Sequence, residues 1–399
     1  MWNERIQSRQ VSISVIGLGY VGLPLAIEIA RSGFRVIGVD ITEEKVAEIN
    51  SGRTHLVDLS DELVAEQVNS GRLTATTDFS YVANTDAIII CVPTPLNKTK
   101  DPDVSFIVNA IQQLRPYLKS GQLITLESTT YPGFTREVVV PMLADTGLKI
   151  GTELFVAFSP ERIDPGNERF SVKNTTKIIG GYTTECTKRT IALYSTFIDN
   201  LHPVSSLDAA EMVKLLENTF RAVNIGLVNE VAQMCHKLNI NTWEVIDAAA
   251  TKPFGFMPFY PGPGLGGHCI PIDPLYLSWK LRILNYQARF IELAHAINSR
   301  MPNFVVSLVQ DALNEHERAI KNARVLVLGV AYKKDIDDPR ESPALEVIEA
   351  LEHKGATVQY HDPYIASVQI GDIRYHSIPL EDAVAAADVV VITTDHRGI

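Results

Sequence analysis

Cys269 lies in Pro261-Gly262-Pro263-Gly264-Leu265-Gly266-Gly267-His268-Cys269-Ile270-Pro271-Ile272-Asp273-Pro274, one thiol among four glycines and four prolines, with a carboxylate four residues on. Glycine lets backbone approach a ligand or another segment closely, and proline fixes the turn. A thiol presented this way is a candidate reagent: a nucleophile, a redox centre or, with His268 beside it, a metal ligand. Structural zinc wants about four ligands. Cys235 and His236 are the only other adjacent pair and fall inside a helical stretch, so no metal is expected. Upstream, Lys214 and Asn218 stand four apart in a helical run and share one face, distinct from the apolar stripe of Ala210, Val213, Leu216 and Phe220. On a peripheral helix that face is solvated surface; on a central one it lines a cleft.

A second constellation opens the chain. Gly17-Leu18-Gly19-Tyr20-Val21-Gly22 follows the apolar run Val11 to Ile16 and precedes a helical stretch, Leu23 to Ser32. Gly17 permits a tight turn, Gly19 admits a pyrophosphate, and Gly22 lets helix and strand pack closely. The helix start, with the backbone of Tyr20 and Val21, offers amides to phosphate. Asp40 ends the next strand, 18 residues after Gly22, where a carboxylate binds a ribose 2′-hydroxyl and repels a 2′-phosphate. NAD is therefore the expected cofactor. Val92-Pro93-Thr94-Pro95 closes a later strand, which places Thr94 either beside that cofactor or in a plain turn.

These groups need a scaffold. Strands are expected at Val11 to Ile16, Phe34 to Asp40, Asp86 to Val92, Leu123 to Glu127, Leu154 to Phe158 and Lys177 to Gly180, alternating with helical segments. That alternation predicts a mostly parallel sheet covered on both faces. From Ser206 the pattern changes: Ala209 to Leu238 is one long helical stretch, with more helix at Thr242 to Ala250 and Leu275 to Asn298. Strand–helix alternation resumes at Arg324 to Val330 and continues through Ser342 to His353, Thr357 to His361 and Asp388 to Thr393. The fold class is α/β: two Rossmann-like doubly wound parallel-sheet domains, 1–205 and 316–399, joined by a central helical domain, 206–315, with one long helix. In the last domain Lys333, Lys334 and Arg340 gather in an otherwise acidic chain, as charged loop surface or as a seat for a second anion such as a nucleotide diphosphate.

Composition narrows the partners. With 399 residues, 46% of them hydrophobic, the chain can build two or three cores. The net charge of −11 carries no basic stripe, so nucleic acid is not an expected partner. Apolar runs such as Ala87 to Val92 are too short to span a bilayer, and no membrane association is expected. Cys91, Cys186, Cys235 and Cys269 show no paired spacing, and Met1 to Arg5 lacks the apolar core of a signal peptide, which points to a reducing, cytoplasmic setting.

Five motifs in order then carry a resemblance: Gly17 to Gly22, Ser159-Pro160-Glu161, the Lys214/Asn218 helix, Gly266-Gly267-His268-Cys269, and Tyr332-Lys333-Lys334-Asp335 with Arg340-Glu341-Ser342. Over nearly its whole length the chain resembles the UDP-glucose/GDP-mannose dehydrogenase family of nucleotide-sugar 6-dehydrogenases. The resemblance implies Cys269 as nucleophile, Lys214 and Asn218 as oxyanion donors, Asp273 helping to activate water, Thr129 positioning a water beside the cofactor, and Glu161 beside substrate and that water. It also implies substrate contacts from Arg162, Tyr260, Gly262, Gly264, Gly266, Lys333 and Arg340, and a homodimer formed through the long central helix. Thr251 to Phe256 followed by Tyr260 to Gly264 is similar to the branch that oxidises UDP-N-acetylhexosamines for polysaccharide assembly. UDP-GlcNAc is the expected substrate, with UDP-GalNAc, UDP-ManNAc and UDP-glucose as alternatives. Pro165 in place of a second glutamate, Ile272 in place of a lysine, and no arginine from Pro253 to Gly267 separate the chain from the UDP-glucose branch. The chain stops early for the family, at Ile399, so its last strand is expected to be missing or remodelled.

The implied reaction is a four-electron oxidation of a C6 hydroxyl to a carboxylate, with two NAD reduced. The aldehyde between the steps must be retained. Addition of the Cys269 thiolate gives a thiohemiacetal, the second hydride transfer leaves a thioester, and water hydrolyses it. Lys214 would lower the thiol pKa, and each oxyanion donor would contribute roughly 3–4 kcal/mol. Two rivals share the fold: a two-electron dehydrogenase, which needs no cysteine, and a non-catalytic nucleotide-binding regulator, which needs none of the set.

Overall fold

The computed structural model describes residues 2–56, 59–97, 101–163, 167, 169–267 and 270–399. A short helix α1 (Trp2–Gln7) leads into β1 (Ser12–Ile16), α2 (Gly22–Arg31), β2 (Arg35–Val39), α3 (Glu43–Asn50), α4 (Asp61–Asn69) and β3 (Leu73–Thr76). The alternation continues through β4 (Ala87–Ile90), α5 (Ser105–Leu114), β5 (Leu123–Leu126), α6 (Val140–Ala144), β6 (Phe155–Phe158), β7 (Lys177–Gly181), α7 (Thr184–Tyr194) and β8 (Leu201–Val204). These strands form one sheet in the order β3-β2-β1-β4-β5-β6-β7-β8. Every neighbouring pair is parallel except β6 and β7. The central strands β4, β5 and β6 are buried along their whole length, as a sheet covered on both faces requires. Ile13, Val15, Leu23 and Ile29 anchor the core beneath α2.

Strand order reverses between β1 and β4, and at such a switch point open α/β sheets bind ligands beyond the carboxyl ends of the strands. The six expected strands of this region are present, most of them shorter by one or two residues. β3 and β8 were not legible beforehand. The first is four residues of alternating burial, and the second contains Pro203, which a sheet tolerates at its edge.

The long helix is α8 (Leu207–Leu238), 32 residues, about 48 Å at 1.5 Å per residue. Residues 1–216 and 217–399 form two compact units, and the boundary falls within α8. In the second unit come α9 (Thr242–Ala250), α10 (Asp273–Ile283), α11 (Arg289–Asn298) and α12 (Met301–Glu315). The helical stretch expected from Leu275 to Asn298 is in fact two helices. Asn285, at φ +56°, ends α10 in the left-handed region, and the Tyr286 amide donates back to the Leu281 carbonyl. Then follow β9 (Arg324–Leu328), α13 (Pro343–His353), β10 (Thr357–His361), the antiparallel pair β11 (Ser367–Ile370) and β12 (Ile373–His376), α14 (Leu380–Ala386) and β13 (Val389–Ile392). β10-β9-β13 is a parallel sheet, packed on a core of Val325, Val327, Val347, Ile348 and Leu351. Among the described residues no helix is long and apolar enough to cross a membrane.

Candidate active site

The glycine loop sits at the switch point for steric reasons. Gly17 has φ +89°, and a Cβ there would lie 2.7 Å from the Cys91 carbonyl oxygen at the end of β4. A Cβ on Gly22 would lie 1.8 Å from the Gly17 carbonyl oxygen, so turn and helix start can touch only without side chains. At Gly19 a Cβ would meet nothing within 4 Å, leaving open space in front of the loop. Val21, at the N-cap of α2, contributes no side-chain cap, and Tyr20 is exposed beside it. The residues therefore fit a dinucleotide: a start of α2 with no side-chain cap, an open approach at Gly19, and a buried carboxylate on the neighbouring strand. That carboxylate, Asp40, accepts from the Leu18 amide at 2.9 Å and the Thr42 amide at 3.0 Å, with the Lys45 ammonium 4.0 Å away. It is thus oriented before any ribose arrives. Thr94 follows β4 and is partly buried.

Deeper in the same unit lies a cluster of buried charges. Glu127 directly follows β5, Lys177 begins β7, and Glu161 follows β6. The Lys177 Nζ donates to Glu127 Oε2 at 2.5 Å and to Glu161 Oε2 at 2.7 Å, and the Tyr194 hydroxyl donates to Glu127 Oε1 at 2.6 Å. Glu161 Oε1 accepts the amides of Arg162 and Ile163, each at 2.6 Å. The main-chain carbonyl of Glu161 accepts the Lys214 ammonium at 2.7 Å. Arg162 turns its guanidinium to the Thr176 carbonyl at 2.6 Å. Burial pushes the Glu127 carboxyl up despite Lys177, whereas at Glu161 the lysine and the two amides overcome burial and hold the carboxyl low. Burial, reinforced by Glu127, raises the Cys91 thiol well above its ordinary range and keeps it protonated.

A second buried carboxylate fixes the Thr129 loop. Glu211, one turn before Lys214 on α8, accepts the Gly133 amide at 2.6 Å, the Thr135 amide at 2.8 Å, the Thr135 hydroxyl at 2.6 Å and the Thr130 hydroxyl at 3.3 Å. Ser128 is buried and donates to the Val92 carbonyl at 2.7 Å. Between Ser128 and Thr130, both turned inward, Thr129 is the partly exposed residue of the loop. Burial raises the Glu211 carboxyl to about 7 against the pull of its donors.

In the second unit, Asn218 donates from its side-chain amide to Asp273 Oδ2, joining α8 to the first residue of α10. Asp273 is buried. His268 and Cys269 lie outside the described residues. The loop leading to them is tied down by a buried amide ladder: the Gly262 amide donates to Asn229 Oδ1 at 2.9 Å, Asn229 donates to Asn298 Oδ1 at 2.9 Å, and Asn298 donates to the Ala222 carbonyl at 3.2 Å. A Cβ on Gly264 would meet Pro343 at 3.2 Å, and one on Gly266 would meet the Tyr332 side chain at 2.6 Å. Those two glycines are required by the protein's own packing, while Gly262 has nothing within 4 Å. Tyr260 is half exposed and donates to Asp247 at 2.8 Å.

The cationic turn after β9 is charge-compensated from within. Lys334 meets Asp395 at 3.0 Å, and Arg340 forms a two-pronged pair with Asp338 at 2.8 Å; Lys333 is partly buried. The turn itself hangs on Asp362, whose Oδ2 accepts the Val330 amide at 2.7 Å, the Ala331 amide at 3.2 Å and His396 Nε2 at 3.1 Å. The Asp335 amide donates to His396 Nδ1 at 2.9 Å, which assigns the ring proton to Nε2. Sequence reasoning passed over Lys177, Glu211, Asn229, Asn298, Asp362 and His396. The one readable signal was a lysine opening the otherwise apolar Lys177–Gly181 strand.

Comparison with known proteins identifies the family. The UDP-glucose/GDP-mannose dehydrogenase family matches in three parts: its NAD binding domain at residues 11–198, its central domain at 208–300 and its UDP binding domain at 326–399. UDP-N-acetyl-D-mannosamine dehydrogenase of Pyrococcus horikoshii is 38% identical over 387 residues, covering 96% of this chain and 89% of that protein. UDP-N-acetyl-D-glucosamine 6-dehydrogenase of Pseudomonas aeruginosa is 34% identical over 361 residues, covering 90% and 84%. The solved structure of the UDP-D-ManNAc dehydrogenase from Pyrococcus horikoshii superposes with a TM-score of 0.90 at 38% identity, covering 97% of this chain and 90% of that one. With the glycine loop of an NAD site at the switch point and family domains along its length, the chain belongs to the UDP-glucose/GDP-mannose dehydrogenase family and is an NAD-dependent nucleotide-sugar 6-dehydrogenase.

Proposed function

We propose that this enzyme oxidises the C6 hydroxyl of a UDP-N-acetylhexosamine to the uronic acid, for polysaccharide assembly, with Cys269 carrying the acyl group between two oxidations. Bound NAD would supply the hydride acceptor for each oxidation, while the protein positions the carbon and holds the oxygens. The observation that carries the reading is α8. Lys214 and Asn218 stand one turn apart on it, each already held by a partner, Lys214 by the Glu161 carbonyl and Asn218 by Asp273. Fixed donors cost little reorganisation when charge develops on a substrate oxygen. In this scheme the Cys269 sulfur bonds to the aldehyde carbon, hydride leaves that carbon as the thioester forms, and water, placed by Thr129 and activated with Asp273, releases carboxylate and thiol. Glu161, Arg162, Tyr260, Gly262, Gly264, Gly266, Lys333 and Arg340 belong to the substrate side, and Gly17, Gly19, Tyr20, Val21, Gly22, Asp40, Thr94 and Thr129 to the cofactor side.

For the sugar, the Thr251 to Gly264 segment supports an N-acetylhexosamine and pointed to UDP-GlcNAc. The relatives named above act, by their names, on UDP-N-acetyl-D-mannosamine and UDP-N-acetyl-D-glucosamine, which supports the same class. The three-domain division at 205/206 and 315/316 is part of the proposal, supported by the family matches at 11–198, 208–300 and 326–399. So is a homodimer through the central helix. Exposed Leu227, Met234 and Leu238 on α8 and Phe290 and Leu293 on α11 support it, because a large apolar surface asks for cover. Free, buried thiols at Cys91, Cys186 and Cys235 support a cytoplasmic setting.

The test is NADH formation with UDP-GlcNAc, UDP-ManNAc, UDP-GalNAc, UDP-glucose and GDP-mannose, counting NADH per sugar consumed. Two NADH per N-acetylhexosamine is expected. One NADH would favour a two-electron dehydrogenase, and turnover of UDP-glucose alone would overturn the substrate.

A further inference from the structure

The Glu161 carboxylate is heavily engaged. A carboxylate offers about four acceptor sites. Here two backbone amides occupy one oxygen and the Lys177 ammonium the other, all within 2.7 Å. Its side chain is only 10% exposed. These three hydrogen bonds, one of them from an ammonium, stabilise the ionised carboxylate and fix the side chain in place. What Glu161 offers the α8 helix is its main-chain carbonyl, 2.7 Å from the Lys214 ammonium. Behind it runs a continuous buried chain: the Tyr194 hydroxyl on Glu127, Glu127 on Lys177, Lys177 on Glu161. Tyr194 ends α7, Glu127 directly follows β5 and Lys177 opens β7, so three parts of the sheet layer converge on one turn.

We infer that Lys177, Glu127 and Tyr194 form a positioning unit that locks the Glu161 turn so that its carbonyl aims the Lys214 ammonium. The inference rests on Lys214 being an oxyanion donor, as proposed above. It assigns a purpose to an arrangement that is otherwise costly. Burying three charges is worthwhile where it specifies a geometry, since a hydrophobic replacement often matches an ion pair in stability alone. Removing Lys177 would leave two buried carboxylates facing each other and release the turn.

The test is a double-mutant cycle in the full-length enzyme, using NAD and the UDP-N-acetylhexosamine that gives most NADH in the panel. Lys177→Met is expected to lower kcat at least tenfold in the wild-type background and less than threefold in a Lys214→Ala background, because a residue acting through Lys214 has nothing left to position. The first burst of NADH should slow together with the steady state. Equal fold-losses in both backgrounds would make Lys177 merely structural and overturn the inference. So would an intact burst followed by slow turnover, which would place the effect of Lys177 on hydrolysis and not on the donor Lys214. Native kcat in Lys214→Ala alone would instead defeat the proposed role of Lys214. If Lys177→Met does not fold, by circular dichroism and NAD binding, Glu127→Gln carries the same cycle: it keeps an acceptor for Lys177 but weakens the pair. Lys177→Arg, which keeps the charge, should retain more activity than either.

Discussion

Glu211 offers a prediction whose size follows from the structure. It is fully buried and accepts four hydrogen bonds from the Thr130 to Thr135 loop, yet burial raises its carboxyl from 4.5 to about 7. Asp208 on the same helix adds repulsion, tempered by its pair with Arg136 at 3.1 Å, and Tyr131 in the loop is itself raised, by burial and by Glu137 and Glu211. A carboxyl whose folded value lies above its unfolded value stabilises the fold fully below the unfolded value, and that contribution disappears as pH rises through the folded one. The window is therefore pH 4.5 to 7, and the span corresponds to about 3 kcal/mol. Glu211→Gln cannot titrate. Its amide nitrogen would face an N–H or O–H donor, which imposes a penalty independent of pH. The free-energy gap between wild type and variant should thus favour wild type most at pH 4.5 and shrink by about 3 kcal/mol by pH 8. Hydrogen exchange of the β5 peptide reads this for the unit that holds Glu211, and the difference between the two proteins cancels all other titrating groups. A gap constant to within about 0.5 kcal/mol would show that the four donors fully offset burial, and would refute the reasoning.

Two further outcomes separate the roles assigned to the site. Gly22→Ala should destabilise the protein by more than about 2 kcal/mol, since its Cβ would fall 1.8 Å from the Gly17 carbonyl oxygen, whereas Gly19→Ala should leave the melting temperature unchanged but weaken NAD binding at least tenfold, as calorimetry would show. Cys269→Ser should bind NAD normally while uronate formation falls on the order of a thousandfold or more; two NADH per sugar at the native rate would remove Cys269 from the chemistry.

Gly17, Gly19, Gly22 and Asp40 could be read from the chain because their function is local: each acts within a strand–turn–helix–strand unit whose geometry is set by residues close by in sequence. The Lys214/Asn218 face was legible for the same reason, as helical periodicity is a property of neighbours. The fold class followed from alternating apolar runs, and Leu275 to Asn298 misled only because Asn285, a single left-handed residue, gives little sign of itself. Lys177 and Glu127 are 50 positions apart, Asn229 and Asn298 are 69 apart, and Glu211 closes its loop from 76 positions away. Buried polar groups must find partners, and nothing in a one-dimensional pattern says which distant residue will supply them. The sequence by itself determined the NAD loop, the α/β plan and the family. Only the tertiary structure decided how the charges of that plan are paired, because pairing across strands and helices exists only once the sheet has brought its elements together.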